Sequence, residues 1–179
     1  PRANPLEPSL TTDPGVIRHE FGHNVFDASF TQQRAGCSWG PANLSGANEG
    51  FADLLTSLTF DSATWPEASV SDERNVDNAE SIAEEALYDP YSNYELGTVF
   101  ASFGWDLRLL STPDEVLVYA INAVVALGED DRTETPAPDF LASHMLEALL
   151  TDHPEVNTEA CTAFSHRFPL AVLPEVCPQ

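Results

Sequence analysis

The stretch Val16-Ile17-Arg18-His19-Glu20-Phe21-Gly22-His23-Asn24-Val25-Phe26-Asp27 decides how the chain is read. It contains H-E-x-x-H, as His19-Glu20-Phe21-Gly22-His23. In a helix, residues four apart stand one above the other on the same face, so both imidazoles can reach a single metal ion. Glu20 projects about 100° round the helix from His19, where a carboxylate can serve a water molecule as general base. Five letters recur by chance, so the flanks have to supply the helix. Asp13 can accept hydrogen bonds from the first free N–H groups, and Pro14 suits the first helical position. Val16, Ile17, Phe21, Val25, Phe26 and Phe30 are the expected buried stripe. The competing reading is a core helix with two incidental histidines.

A catalytic zinc keeps three protein ligands and one open position, so the rest of the chain must supply a third ligand. A glycine three residues after the second histidine and another histidine three further on would supply it locally. Phe26 and Ser29 hold those places, and the inverted order H-x-x-E-H is absent as well. A second helical stretch, Ser45-Gly46-Ala47-Asn48-Glu49-Gly50-Phe51-Ala52-Asp53-Leu54-Leu55, offers Glu49. Ser45 is a candidate N-cap there, and Phe51, Leu54, Leu55 and Leu58 suggest a buried side.

With H-E-x-x-H followed by Asn48-Glu49-x-x-x-Asp53, the chain resembles the gluzincin metallopeptidases of the thermolysin and fungalysin type. The resemblance implies His19, His23 and Glu49 as ligands of one catalytic Zn2+ and Glu20 as general base. It also implies that Asn48 and Asp53 hold the two imidazoles. A ligating histidine usually donates its other N–H to an oxygen, which gives that role a physical reason. Asp53 read without the resemblance is a solvated helix charge. Asp27 matches the family in residue type and receives no role.

The span from Tyr94 to Leu107 is similar to a fungalysin-type stretch, through Gly97, Val99, Ala101, Trp105 and Leu107. Two departures matter: Tyr94 stands where the family has an oxyanion-donating histidine, and Thr98 where it has a glutamate. A phenol can donate to an oxyanion, so Tyr94 is a candidate catalytic residue, with core packing at a helix start as the alternative. No tyrosine in Trp39 to Leu44 supplies the family's second donor. Arg74 lies roughly where thermolysin-like enzymes hold a substrate carbonyl; a surface ion pair is the alternative.

At 179 residues and 42% apolar composition, residues 1–179 are expected to form one domain with a sizeable core. No run of about 18 apolar residues exists to span a membrane. The chain opens Pro1-Arg2-Ala3-Asn4-Pro5 without an initiator methionine or signal peptide, and reads as part of a longer precursor. By the resemblance, the family's N-terminal lobe, with its substrate-binding edge strand, is missing.

Twenty-nine acidic residues face seven arginines and no lysine, a net charge of −22, which makes nucleic acid and anionic membranes poor partners. The surplus fits an extracellular or salty setting, and with the resemblance it points to a secreted protein. Acidic clusters at Asp77 to Asp89 and Glu129 to Asp139 lack the spacing of a calcium loop, so Ca2+ is not indicated, though weak binding is open. Cys37, Cys161 and Cys177 contain no C-x-x-C pair. In an oxidising compartment, Cys161–Cys177 would tie down the proline-rich tail, leaving Cys37 for a partner upstream; free buried thiols are the alternative.

Thr31 to Leu44 reads as a loop carrying Trp39, and Asp61 to Ala79 as a second, longer one. Thr112-Pro113-Asp114-Glu115 is a capping box opening Val116 to Leu127, with Gly128 as the stop. Asp139 is the expected cap of Phe140 to Leu150, and a last helix covers Val156 to Phe168. His144, His153 and His166 lack ligand spacing. Without a clear hairpin the fold should be mainly α. The expected function is a zinc endopeptidase acting on protein or peptide substrates. The alternative is a non-catalytic metal-binding or interaction domain derived from such an enzyme.

Overall fold

The computed structural model describes residues 13–30, 41–66, 73–82, 93–129 and 137–178. The fold is mainly α. Six helices occur among the described residues: α1 (Pro14–Ser29), α2 (Pro41–Phe60), α3 (Asn93–Arg108), α4 (Pro113–Glu129), α5 (Ala137–Asp152) and α6 (Asn157–Arg167). A 3-10 turn, Pro154–Val156, leads into α6. Two three-residue strands, β1 (Thr64–Pro66) and β2 (Glu73–Asn75), pair antiparallel with Trp65 opposite Arg74. This small ladder interrupts a segment read from sequence as structureless; strands of three residues are too short to show a period of two. No helix among the described residues is long and apolar enough to cross a membrane.

Helix α2 is the centre of the packing, with α1 and α3 laid against it and α4 and α5 also in contact. Its expected apolar residues Phe51, Leu54, Leu55 and Leu58 are all buried. The helix begins at Pro41, a good first-turn residue, so Ser45 lies inside it rather than capping it. Against α2, helix α3 comes close enough that backbones touch. A Cβ at Gly50 would sit 2.4 Å from the Gly97 carbonyl oxygen, and one at Gly97 would sit 3.1 Å from Glu49 Cβ. Further along, Gly104 meets the Leu54 side chain, so the two helices run in the same direction. Only glycine permits that approach directly behind Glu49.

Helix α1 starts as its sequence dictates: Asp13 Oδ1 accepts from the backbone N–H of Gly15 at 2.8 Å and of Val16 at 3.4 Å. Its buried face departs from expectation. Gly15, His19, Gly22 and Phe26 are buried, whereas Ile17 and Phe21 are 51% and 59% exposed. The reason is the crossing with α2, where Gly22 rests on Ala52 and draws the small-residue side of α1 inward. Arg18 adds a clamp, its guanidinium 3.9 Å from the centre of the Phe60 ring.

The distal helices are fastened by polar contacts. The capping box forms as expected: Glu115 Oε2 accepts from the Thr112 N–H at 3.0 Å and the Glu115 N–H donates to Thr112 Oγ1 at 3.3 Å. The hydroxyls of Thr112 and Ser111 hold the Glu115 carboxyl down at about 2. Helix α4 runs through Gly128 to Glu129 instead of stopping there. Helix α5 begins at Ala137, so Asp139 sits in its first turn and not at its N-cap. Burial pushes the Asp139 carboxyl up to about 7. Arg167, buried, donates to both oxygens of Asp106 at 2.8 and 3.1 Å, to Asn78 Oδ1 at 3.0 Å and to the Glu80 carbonyl at 2.9 Å. It thereby ties α3, α6 and the stretch after β2 together.

Cys161 and Cys177 are disulfide-bonded, with Cα atoms 5.8 Å apart and a sequence separation of 16. Closing a loop of that length stabilises the folded state by about 3 kcal/mol. Cys177→Ser is expected to lower unfolding free energy by about that amount, measured by urea denaturation against the wild-type protein with and without reductant. Cys37 and Trp39 lie outside the described residues, as do most of the two acidic clusters.

Candidate metal centre

The crossing of α1 and α2 brings the two motif stretches face to face. His19 and His23 project from α1, and Asn48, Glu49 and Asp53 from α2. His19 Nε2 lies 3.3 Å from Glu49 Oε2, and His23 Nε2 lies 3.9 Å from the same oxygen. The two Nε2 atoms are 3.1 Å apart. Among the described residues, these three form a group offering ligand atoms all within 4.8 Å of one another. Two ligands of one tetrahedral zinc, each at about 2.0–2.1 Å, stand about 3.3 Å apart. The observed spacing of the nitrogens fits that arrangement.

The outer nitrogens fix which way the rings work. His19 Nδ1 donates to Asp53 Oδ1 at 2.8 Å, and His23 Nδ1 donates to Asn48 Oδ1 at 2.7 Å. With the Nδ1 protons so engaged, the neutral rings turn two lone pairs toward one point. Lone pairs that close repel unless a proton or a cation lies between them. The donor set, two imidazoles and a carboxylate with hydrogen-bonded outer nitrogens, therefore fits a zinc ion by its chemistry.

Electrostatics agree in sign. Burial alone would push the His19 imidazole down. The hydrogen bonds and negative charges of Asp53 and Glu49 outweigh it and raise His19 from 6.5 to about 9 in the metal-free protein. The stability this contributes is full below pH 6.5 and is lost as pH rises through about 9. A metal must displace the extra proton, so binding and protonation compete. Apparent zinc affinity is expected to rise about tenfold per pH unit between about pH 7 and 9 and to flatten above. Competition titration against a chelator of known affinity reads this directly, and a pH-independent affinity would contradict it.

The remaining expected residues fall in different places. Glu20 is exposed at the solvent edge of α1, next to the ligand face. Asp53 is buried and bonded to His19, not a solvated helix charge. Tyr94 lies in the first turn of α3, 54% exposed rather than packed into the core, one turn before the Gly97 that abuts Glu49. Arg74 stands in β2, and its side chain lies outside the described residues. His144 Nδ1 donates to the Phe140 carbonyl at 3.0 Å, within its own helix.

Sequence reasoning left Asp27 without a role, yet the Asn48 Nδ2 donates to its Oδ1 at 3.3 Å. Its spacing, one turn after His23, was the available signal. Comparison of the chain with protein-family models, with curated proteins and with solved structures finds no match.

Proposed function

We propose that the chain carries the catalytic centre of a gluzincin-type zinc endopeptidase, with His19, His23 and Glu49 as the ligands. What carries this reading is the convergence of His19 Nε2, His23 Nε2 and Glu49 Oε2 beside a solvent-exposed carboxylate, Glu20. A zinc ion held there supplies Lewis acidity that polarises a peptide carbonyl and makes water a nucleophile near neutral pH. The chain's own residues do the rest. Glu20 accepts a proton from the attacking water and delivers it to the leaving amine. Asp53 and Asn48 keep the two rings turned inward through their Nδ1 protons. Tyr94, exposed on the adjoining helix end, donates a hydrogen bond to the oxyanion that develops on the substrate. Arg74 is the proposed contact to a substrate carbonyl.

The substrate is a protein or peptide, and no role for Ca2+ enters. The Cys161–Cys177 disulfide and the acidic composition support a secreted protein. A non-catalytic metal-binding domain is the second reading, favoured by Tyr94 standing where the resembled family has histidine. An exposed Glu20 weighs against it, because a structural zinc needs no general base. The deciding experiment combines elemental analysis with cleavage of an unfolded protein. One zinc per chain, with hydrolysis abolished by a chelator and restored by zinc, supports the peptidase. Stoichiometric zinc without hydrolysis selects the second reading, and no bound metal overturns both.

A further inference from the structure

The two imidazoles of the centre are held by chemically different partners. His19 Nδ1 meets the carboxylate of Asp53, a group that in its ionised form only accepts, so the ring proton stays on Nδ1. His23 Nδ1 meets a carboxamide, Asn48, at 2.7 Å. An amide offers a carbonyl on one side and an NH2 on the other, in nearly the same shape. With Oδ1 turned toward the ring, His23 keeps its proton on Nδ1 and a lone pair on Nε2. Turned over, the NH2 would donate to Nδ1 and move the ring proton to Nε2, removing the lone pair that a metal requires. Asn48 alone does not choose between them.

Asp27 makes the choice. It lies one turn after His23 on the same side of α1, and its Oδ1 accepts from Asn48 Nδ2 at 3.3 Å. A carboxylate cannot donate, so only the orientation with NH2 toward Asp27 and carbonyl toward His23 satisfies all three groups. We infer that Asp27 is a positioning residue that orients the Asn48 amide and thereby fixes His23 in its metal-binding tautomer. Asp27 also gives His23, through the amide, the negative partner that Asp53 gives His19 directly. Being exposed, it can be replaced without opening the core. The inference rests on the metal-centre reading for its purpose, while the tautomer itself exists without metal.

The test is 15N NMR of histidine-labelled, metal-free protein at alkaline pH, where long-range proton couplings report the tautomer, together with zinc titration. Wild type and Asp27→Glu are expected to hold His23 as Nδ1–H. Asp27→Ala should give a mixture and weaken zinc binding about 10- to 100-fold. Asp27→Lys, which offers the amide a donor in place of an acceptor, should convert His23 to Nε2–H. Asn48→Asp supplies a carboxylate directly, and in that background Asp27→Ala should no longer weaken zinc binding. His23 remaining Nδ1–H in both Asp27→Ala and Asp27→Lys overturns the inference, even where thermal stability falls. If wild type binds no zinc, the metal reading fails while the tautomers still decide the role of Asp27.

Discussion

Glu20→Gln is expected to lower peptide hydrolysis by about 10²- to 10⁴-fold while zinc content stays at the wild-type level. Glutamine keeps the size and hydrogen-bonding reach of the side chain but cannot take up a proton at neutral pH. The proposed ligand set does not include Glu20, so none of its members is removed. The helix is not disturbed either, because the contact to Asn24 uses the Glu20 backbone carbonyl and not its carboxylate. Glu49→Ala supplies the opposite signature. Its Oε2 is the atom near both histidine nitrogens, at 3.3 and 3.9 Å, so its loss should leave zinc substoichiometric after dialysis. Elemental analysis and initial rates on the same two preparations separate the roles. Near wild-type turnover in a metal-replete Glu20→Gln protein would sink the general-base assignment, and full zinc in Glu49→Ala would remove Glu49 from the ligands.

Much of the centre was legible because its signals are local. The cap of α1 needs only Asp13 and Pro14, and the capping box only Thr112 and Glu115. The i, i+4 spacing of the histidines put both on one face before any packing was known. The role of Asp53 rested on the resemblance, since spacing alone allows a solvated helix charge, and Asp53 is found bonded to His19. What sequence did not show depends on which helix lies where. Ile17 and Phe21 are apolar enough to suggest a core face, but α1 lays Gly22 on Ala52 of α2 and leaves both of them exposed. Hydrophobicity ranks side chains and says nothing of a close approach that selects the absence of one. Asp139 is not the cap for a related reason: α5 starts at Ala137, three residues before the expected Phe140, and carries the carboxylate into the interior. Asp27 stayed without a role because its partner belongs to another helix.

Gly22→Ala is expected to lose both stability and metal, and the sign of the stability change is informative. At a helix interior, alanine is favoured over glycine by about 1 kcal/mol, so an unconstrained site would gain. At Gly22 a Cβ would lie 2.6 Å from Ala52 Cα, 3.0 Å from Ala52 Cβ and 3.3 Å from the Ala52 carbonyl oxygen. Ordinary carbon contacts are about 3.5–4.0 Å, and the nearest of these atoms is backbone, which cannot rotate away. Helix α1 must therefore shift from α2 by about an ångström. That separation is the one spanned by His19 to Glu49 and by His19 Nδ1 to Asp53, the latter only 2.8 Å. Overpacking of this kind costs about 1–3 kcal/mol, and an ångström of misplacement at a catalytic centre costs about 10²-fold in rate. Gly104→Ala is the control. Its Cβ would meet Leu54 Cδ2 and Cδ1 at 2.4 and 2.6 Å, atoms at the end of a side chain, on the crossing of α2 with α3. It should lower the melting temperature yet leave zinc affinity near wild type. Equal losses of zinc affinity in the two variants, or a stabilised Gly22→Ala protein that binds zinc normally, would show that the α1–α2 approach does not set the ligand geometry.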